Sequence, residues 1–132
     1  MDITPTLEIM SWKIELIPVP VSDTDRSKAF YESIGFTADH DFPVREGLRF
    51  VQLTPPGSAC SIVIGEGTTG KAPGTQEIQV VVADAVAARQ QLLDAGVAAS
   101  DVDVQPWGTF VYFTDPDGNK WSLQALEGRP NG

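Results

Sequence analysis

The chain has 132 residues, 42% hydrophobic and 20% charged, a size and balance suited to one globular domain rather than a disordered segment. Nine Lys and Arg against 18 Asp and Glu give a formal net charge of −9, which argues against a nucleic-acid partner, since basic side chains must neutralise phosphates; the acidity serves solubility and admits a cationic ligand. No apolar run approaches the roughly 20 residues that span a bilayer, no basic region precedes an apolar stretch at the N-terminus, and the single Cys60 has no internal partner, so a cytoplasmic protein without membrane contact is expected.

Residues 1–10 carry no clear period and are expected to form a disordered extension. Residues 11–21 then alternate, with Ile17, Val19 and Val21 on one face and Leu16, Pro18 and Pro20 on the other, which predicts a strand. Two prolines without N–H groups place it at a sheet edge. Asp23 is a cap for a helix over 24–34, to which Ala29, Phe30 and Ile34 supply apolar surface, and Gly35 ends it. Strands follow at 36–41, 48–53 and 60–64, with Pro55, Pro56 and Gly57 turning the chain between the last two. The Gly- and Thr-rich residues 66–74 read as a flexible linker.

The order then repeats: strand 77–83, cap Asp84, helix 85–95, Gly96, and strands 97–104, 109–114 and 120–126, the last two joined by a turn over 115–119. The repeat is gapless at 61 residues: Ile17, Val19, Val21 and Asp23 fall on Ile78, Val80, Val82 and Asp84, Gly35 on Gly96, Pro55 on Pro116, Gly57 on Gly118 and Ser61 on Ser122. Two strand-helix-strand-strand-strand modules, 11–65 and 75–127, make an α+β fold. One helix covers one face of a four-stranded sheet, so the other face must pack against something or line a cavity.

The segments VPVSDTDRSKAFYESIGF, PPGSACSIVIG, IQVVVADAVAARQQLLDAGV and WGTFVYFTDPDGNKWSLQAL resemble the vicinal oxygen chelate superfamily, which includes glyoxalase I, fosfomycin- and bleomycin-resistance proteins, methylmalonyl-CoA epimerase and extradiol dioxygenases. The resemblance spans about residues 11–127. It implies two βαβββ modules in tandem forming a curved mixed sheet around a cleft, often in a homodimer, and a divalent metal on the cleft floor. In metal-dependent members the ligands lie seven residues before the capping Asp and three after the Asn of DPDGN, which here are Leu16, Glu77 and Ser122, with Ser61 as the repeat partner of Ser122. Leu is no ligand and a neutral Ser hydroxyl is a poor one, so one carboxylate in four positions is expected to hold no metal, and no other cofactor is expected. The single His40 lies outside this set, on the second strand, where a surface role is expected.

Strand parity puts Glu77, Gln79, Val81, Lys120, Ser122 and Gln124 on the cleft face of the second module, and Leu16, Pro18, Pro20, Ser61 and Val63 on that of the first. This is a mixed wall suited to a small organic ligand. Glu77 is the candidate general base, or else a solvated residue paired with Arg49 or Lys120. Gln79, Ser122, Gln124 and Ser61 are candidate ligand contacts. Arg49 would clamp an anionic group or form a surface ion pair. Trp107 and Tyr112 would stack on a planar ligand or pack in the core. Cys60 shares the helix-facing parity of Trp121 and reads as a small buried hydrophobe. Three readings remain open: a metal-independent binding protein that sequesters a drug or metabolite, a metal-independent isomerase or lyase using Glu77, and a metal-dependent lyase or dioxygenase with an atypical ligand set.

Overall fold

A computed structural model describes residues 9–126, so the expectations for residues 1–8 and for the tail 127–132 lie outside the described residues. The described chain forms two four-stranded mixed sheets, each carrying one helix. Module one consists of β1 (Leu16–Pro18), α1 (Thr24–Ser33), β2 (Thr37–Arg45), β3 (Leu48–Thr54) and β4 (Ser61–Ile64), in sheet order β1-β4-β3-β2. Module two consists of β5 (Glu77–Val81), α2 (Ala85–Asp94), β6 (Asp103–Gln105), β7 (Gly108–Thr114) and β8 (Lys120–Ala125), in order β5-β8-β7-β6. In each sheet the first strand runs parallel to the last, and the remaining pairs are antiparallel. This is the tandem α+β architecture that the repeat implies. No helix among the described residues is long and apolar enough to cross a membrane.

The helix starts repeat closely. Asp23 accepts from Arg26 N at 3.1 Å and Asp84 from Ala87 N at 3.1 Å, both from extended backbone, so each carboxylate satisfies a free N–H of its first turn. Gly35 and Gly96 follow the helix ends at φ 101° and 78°, a region that costs a side-chain-bearing residue. The buried stripe of α1 is Thr24, Ser27 and Tyr31; Ala29, expected to face the core, is exposed, because spacing of three and four residues from Tyr31 selects the other face. The equivalent stripe of α2 is Ala85, Ala88 and Leu92.

Three strands depart from expectation. β1 is three residues long rather than eleven. Ladder bonds from Ser61 N to Glu15 O and from Val19 N to Val63 O, each 2.9 Å, extend it one residue either way, after which Pro20 has no N–H to donate. β2 runs on to Arg45 through register shifts at Ala38/His40 and Pro43/Arg45, tolerated because it is an edge strand. The strand expected over 97–104 survives only as β6. At Ser100 the hydroxyl accepts from Tyr112 N at 2.9 Å where a backbone carbonyl would serve in a regular ladder. The Gly-rich connection is tied down rather than loose: Arg49 N donates to Glu66 O (2.9 Å), Thr68 Oγ1 to Gly65 O (2.7 Å) and Gly74 N to Pro20 O (3.2 Å).

The modules meet through their helix-bearing faces. Tyr31 of α1, fully buried, lies 5.8 Å from the Trp121 ring of β8, and Phe36 meets the same indole edge-on at 5.6 Å. Such ring pairs contribute about 1 kcal/mol each beyond the area they bury. Tyr31 donates to buried Asp115 Oδ2 at 2.7 Å and accepts from Trp121 Nε1 at 3.1 Å. Burial, then the Asp115 charge, pushes the Tyr31 phenol far above its ordinary range. Asp115 also receives Asp117 N, Asn119 N and Asn119 Nδ2, and that last amide reaches Pro20 O at 2.8 Å. With the helix faces locked together, the opposite face of each sheet is turned outward.

Candidate functional site

The outward face of module two gathers most of the expected ligand contacts. Period two along β5, β7 and β8 sets the rows, and register sets which side chains meet. Gln79 lies beside Ser122 and Ser122 beside Tyr112; Val81 lies beside Gln124, Gln124 beside Phe110 and Phe110 beside Asp103; Glu77 lies beside Lys120 and Lys120 beside Thr114. A groove of about 630 Å³ runs over the Gln79, Ser122 and Tyr112 row, with residues 98–100 as its side wall.

Its polar groups are partly committed to one another. Gln79 Nε2 donates to Gln124 Oε1 at 2.8 Å, and Gln124 Nε2 donates to Trp107 O at 3.0 Å. This chain fixes the β6–β7 hairpin, on which Trp107 stands 65% exposed, outside the groove lining. Tyr112 stacks on Phe110 at 6.0 Å and 13°, and its hydroxyl donates to Asp103 Oδ2 at 2.7 Å. That hydrogen bond raises the Tyr112 phenol, so it stays a neutral donor. Ser122 Oγ and Gln79 Oε1 have no partner among the described residues. The groove thus offers an aromatic face for a planar molecule, with a hydroxyl and an amide oxygen alongside.

Glu77 sits at the open end. Its side chain is 75% exposed and faces Lys120 Nζ at 3.8 Å, a solvated ion pair. Register also separates it from Ser122. In module one Leu16 pairs with Ser61, but in module two Ser122 pairs with Gln79 and Glu77 with Lys120, a slip of two residues that keeps every side chain on its face. Ser61 is 3% exposed on the outward face of module one, where its Oγ shares a 2.6 Å hydrogen bond with Thr54 Oγ1 and accepts from Gln52 Nε2 at 3.3 Å; Thr54 in turn bonds Asp39. The four positions implied for a metal therefore fall on two faces turned apart. Among the described residues no three His, Cys, Asp or Glu side chains form a group able to hold a metal ion. The donor set does not fit a divalent centre.

Arg49 is not part of the groove. It lies on the helix-bearing side of module one, where its guanidinium grips Asp41 at 3.0 and 2.8 Å and Asp25 at 2.8 Å. Arg49, then Lys28 at 3.0 Å, holds the Asp41 carboxyl well below the usual carboxylate range. His40 is exposed, as expected, opposite Gln52 on the outward face of module one, with its ring on Phe42 at 5.6 Å. Cys60 is half-buried, and burial pushes its thiol up. The sequence reading missed Phe110 and Asp103. Phe110 shares strand parity with Tyr112 and was detectable; the Asp103 contact depends on the β6–β7 register, which no local signal carries.

The family model for the Glyoxalase/Bleomycin resistance protein/Dioxygenase superfamily matches residues 13–123. TnmS3, an antibiotic binding protein from Streptomyces sp. CB03234, is 31% identical with a TM-score of 0.81, over 90% of this chain and 99% of that one. A glyoxalase/bleomycin resistance protein from the same organism is 33% identical with a TM-score of 0.75, over 85% of this chain and 99% of that one. The YetH protein of Bacillus subtilis (strain 168) is 27% identical over 116 residues, which is 85% of this chain and 97% of that one. The paired modules and these likenesses lead to one conclusion: the chain belongs to the Glyoxalase/Bleomycin resistance protein/Dioxygenase superfamily.

Proposed function

We propose that this protein binds a small organic molecule in the groove of module two without a catalytic metal, and that it sequesters a drug or metabolite rather than transforming it. The observation that carries this reading is the donor set: Leu16, Ser61, Glu77 and Ser122 supply one carboxylate, and that carboxylate faces Lys120 at 3.8 Å. The Tyr112 ring, backed by the buried Phe110 and with Ser122 and Gln79 beside it, suits a flat ligand with hydrogen-bonding edges. TnmS3, similar over most of the chain, is an antibiotic binding protein, which favours the same class of ligand here.

A single chain supplies only one wall to each outward face. A homodimer in which the module-one face of one copy closes over the module-two groove of the other completes the cleft, and Phe42, 56% exposed beside Phe50, would then cover the ligand. The test is a thermal-shift screen against cationic glycopeptide antibiotics and aromatic metabolites, with light scattering for the dimer. Concentration-dependent stabilisation of a dimer by at least one class supports the reading, and no shift with any member removes it. Glu77→Gln is expected to bind like the parent; turnover of a bound compound that vanishes in this variant would assign Glu77 as a base instead.

A further inference from the structure

We infer that the protein carries a second small-molecule site, in the cavity between its two modules, for an uncharged aromatic compound with one polar end. This inference does not rest on the groove reading: helix-side residues such as Ile62, Val80 and Leu92 wall the cavity and do not line the groove. Its volume is about 570 Å³, within the range of sites that enclose small organic ligands. Protein interiors are close-packed, so a gap of this size between two halves already clamped by Tyr31, Asp115 and Trp121 is not ordinary packing slack.

The walls define the ligand. Ile62 of β4, Val80 of β5 and Leu92 of α2 give aliphatic surface from both modules, and Phe36, Phe113 and Trp121 give aromatic surface. No charged side chain among the described residues lines the cavity, so an ionised ligand would lose its hydration without a counter-charge. Four residues with amide or hydroxyl side chains line it. Ser58 donates to Cys60 O, Ser61 bonds Thr54 and Gln79 donates to Gln124. Only the amide of Gln91, exposed at the mouth on α2, has no partner among the described residues. A ligand therefore places its apolar rings inward and a single N–H, hydroxyl or carbonyl at Gln91. Strand β5 borders both sites: Val80 lines the cavity and Glu77 the groove, while Ile78 and Gln79 are shared between the two linings.

The probe is N-phenyl-1-naphthylamine, which is uncharged, aromatic and carries one N–H. Trp121 is 2% exposed whereas Trp12 and Trp107 are 90% and 65% exposed, so acrylamide quenching of the exposed pair isolates energy transfer from the cavity wall. Full-length protein is expected to bind about one probe per chain with a micromolar-range constant, the affinity of a mainly apolar contact of this size. Ala88→Phe, which projects a ring into the cavity from α2, should weaken binding about tenfold or more. Tyr112→Ala, on the groove side, should leave it unchanged. On the parent protein, where folding is not in question, bound probe should slow alkylation of Cys60, which lines the cavity, about fivefold or more. Absence of saturable binding overturns the inference, including the case where the exposed apolar stretch 9–14 of another copy already fills the cavity. Binding lost in Tyr112→Ala but kept in Ala88→Phe, or unchanged Cys60 alkylation at saturation, also overturns it.

Discussion

The two modules share their helices and differ on their outward faces. Helix spans Thr24–Ser33 and Ala85–Asp94 are displaced by the 61-residue repeat, and their capping carboxylates bond the first turn at the same 3.1 Å. The faces diverge. Module one has a nine-residue β2 and buries Ser61 and Val63 on its outward side at 3% each. Module two has a three-residue β6, a two-residue slip between its parallel strands, and leaves Val81 and Tyr112 at 53% and 39% exposed. Duplication preserved what holds a helix on a sheet and left strand length and register free to shape the groove of module two.

The largest expected effect breaks the clamp between modules. Asp115 occupies the repeat position of Thr54, yet it is buried and accepts from Tyr31, Asp117 and Asn119. Asp115→Ala strands those donors and should cost about 3 kcal/mol, read as a lower urea midpoint, whereas Thr54→Ala should cost about 1 kcal/mol. Next, Tyr112→Ala removes half of the Phe110–Tyr112 stack and should weaken binding of a ligand found by the thermal-shift screen about tenfold by calorimetry. Smaller again is a gain. Ser27 is fully buried with its Oγ unpartnered, while its repeat position in module two is Ala88. Ser27→Ala, making module one resemble module two, should raise stability by about 1 kcal/mol.

The smallest effect belongs to the Asp41 cluster of module one, which module two lacks among the described residues. Arg49 and Lys28 depress the Asp41 pKa in the folded state. Its stabilisation is therefore full above about pH 4, the unfolded value, and is lost as pH falls from there through the folded value. Asp41→Asn should cost less than about 1 kcal/mol at neutral pH, because the cluster is partly solvated, and the difference from the parent should vanish in acid. A difference that persists in acid would assign the effect to packing.

Much of this was legible in the sequence because it rests on local signals. Asp23, Gly35 and their repeats mark helix ends through backbone chemistry alone, and period two along β5 and β8 put Gln79, Ser122 and Gln124 on one face. What was hidden depends on register and on contacts between distant segments. The gapless repeat aligned Glu77 with Ser122, but the slip pairs Glu77 with Lys120; a two-residue shift leaves parity untouched and so no trace in the pattern. Arg49 stands one residue off the outward parity of Phe50 and Gln52, and only the fold brings Asp25 of α1 within its reach. The Ser100 hydroxyl that interrupts the strand before β6 has a partner, Tyr112, that is not a sequence neighbour.

The central claim, ligand binding without a catalytic metal, is tested most directly by native mass spectrometry of untagged protein taken from its source. The account predicts a dimer carrying the mass of a small organic molecule and no stoichiometric divalent metal. Zinc, nickel, manganese or iron at one ion per chain, released together with the organic mass on chelation, would contradict it.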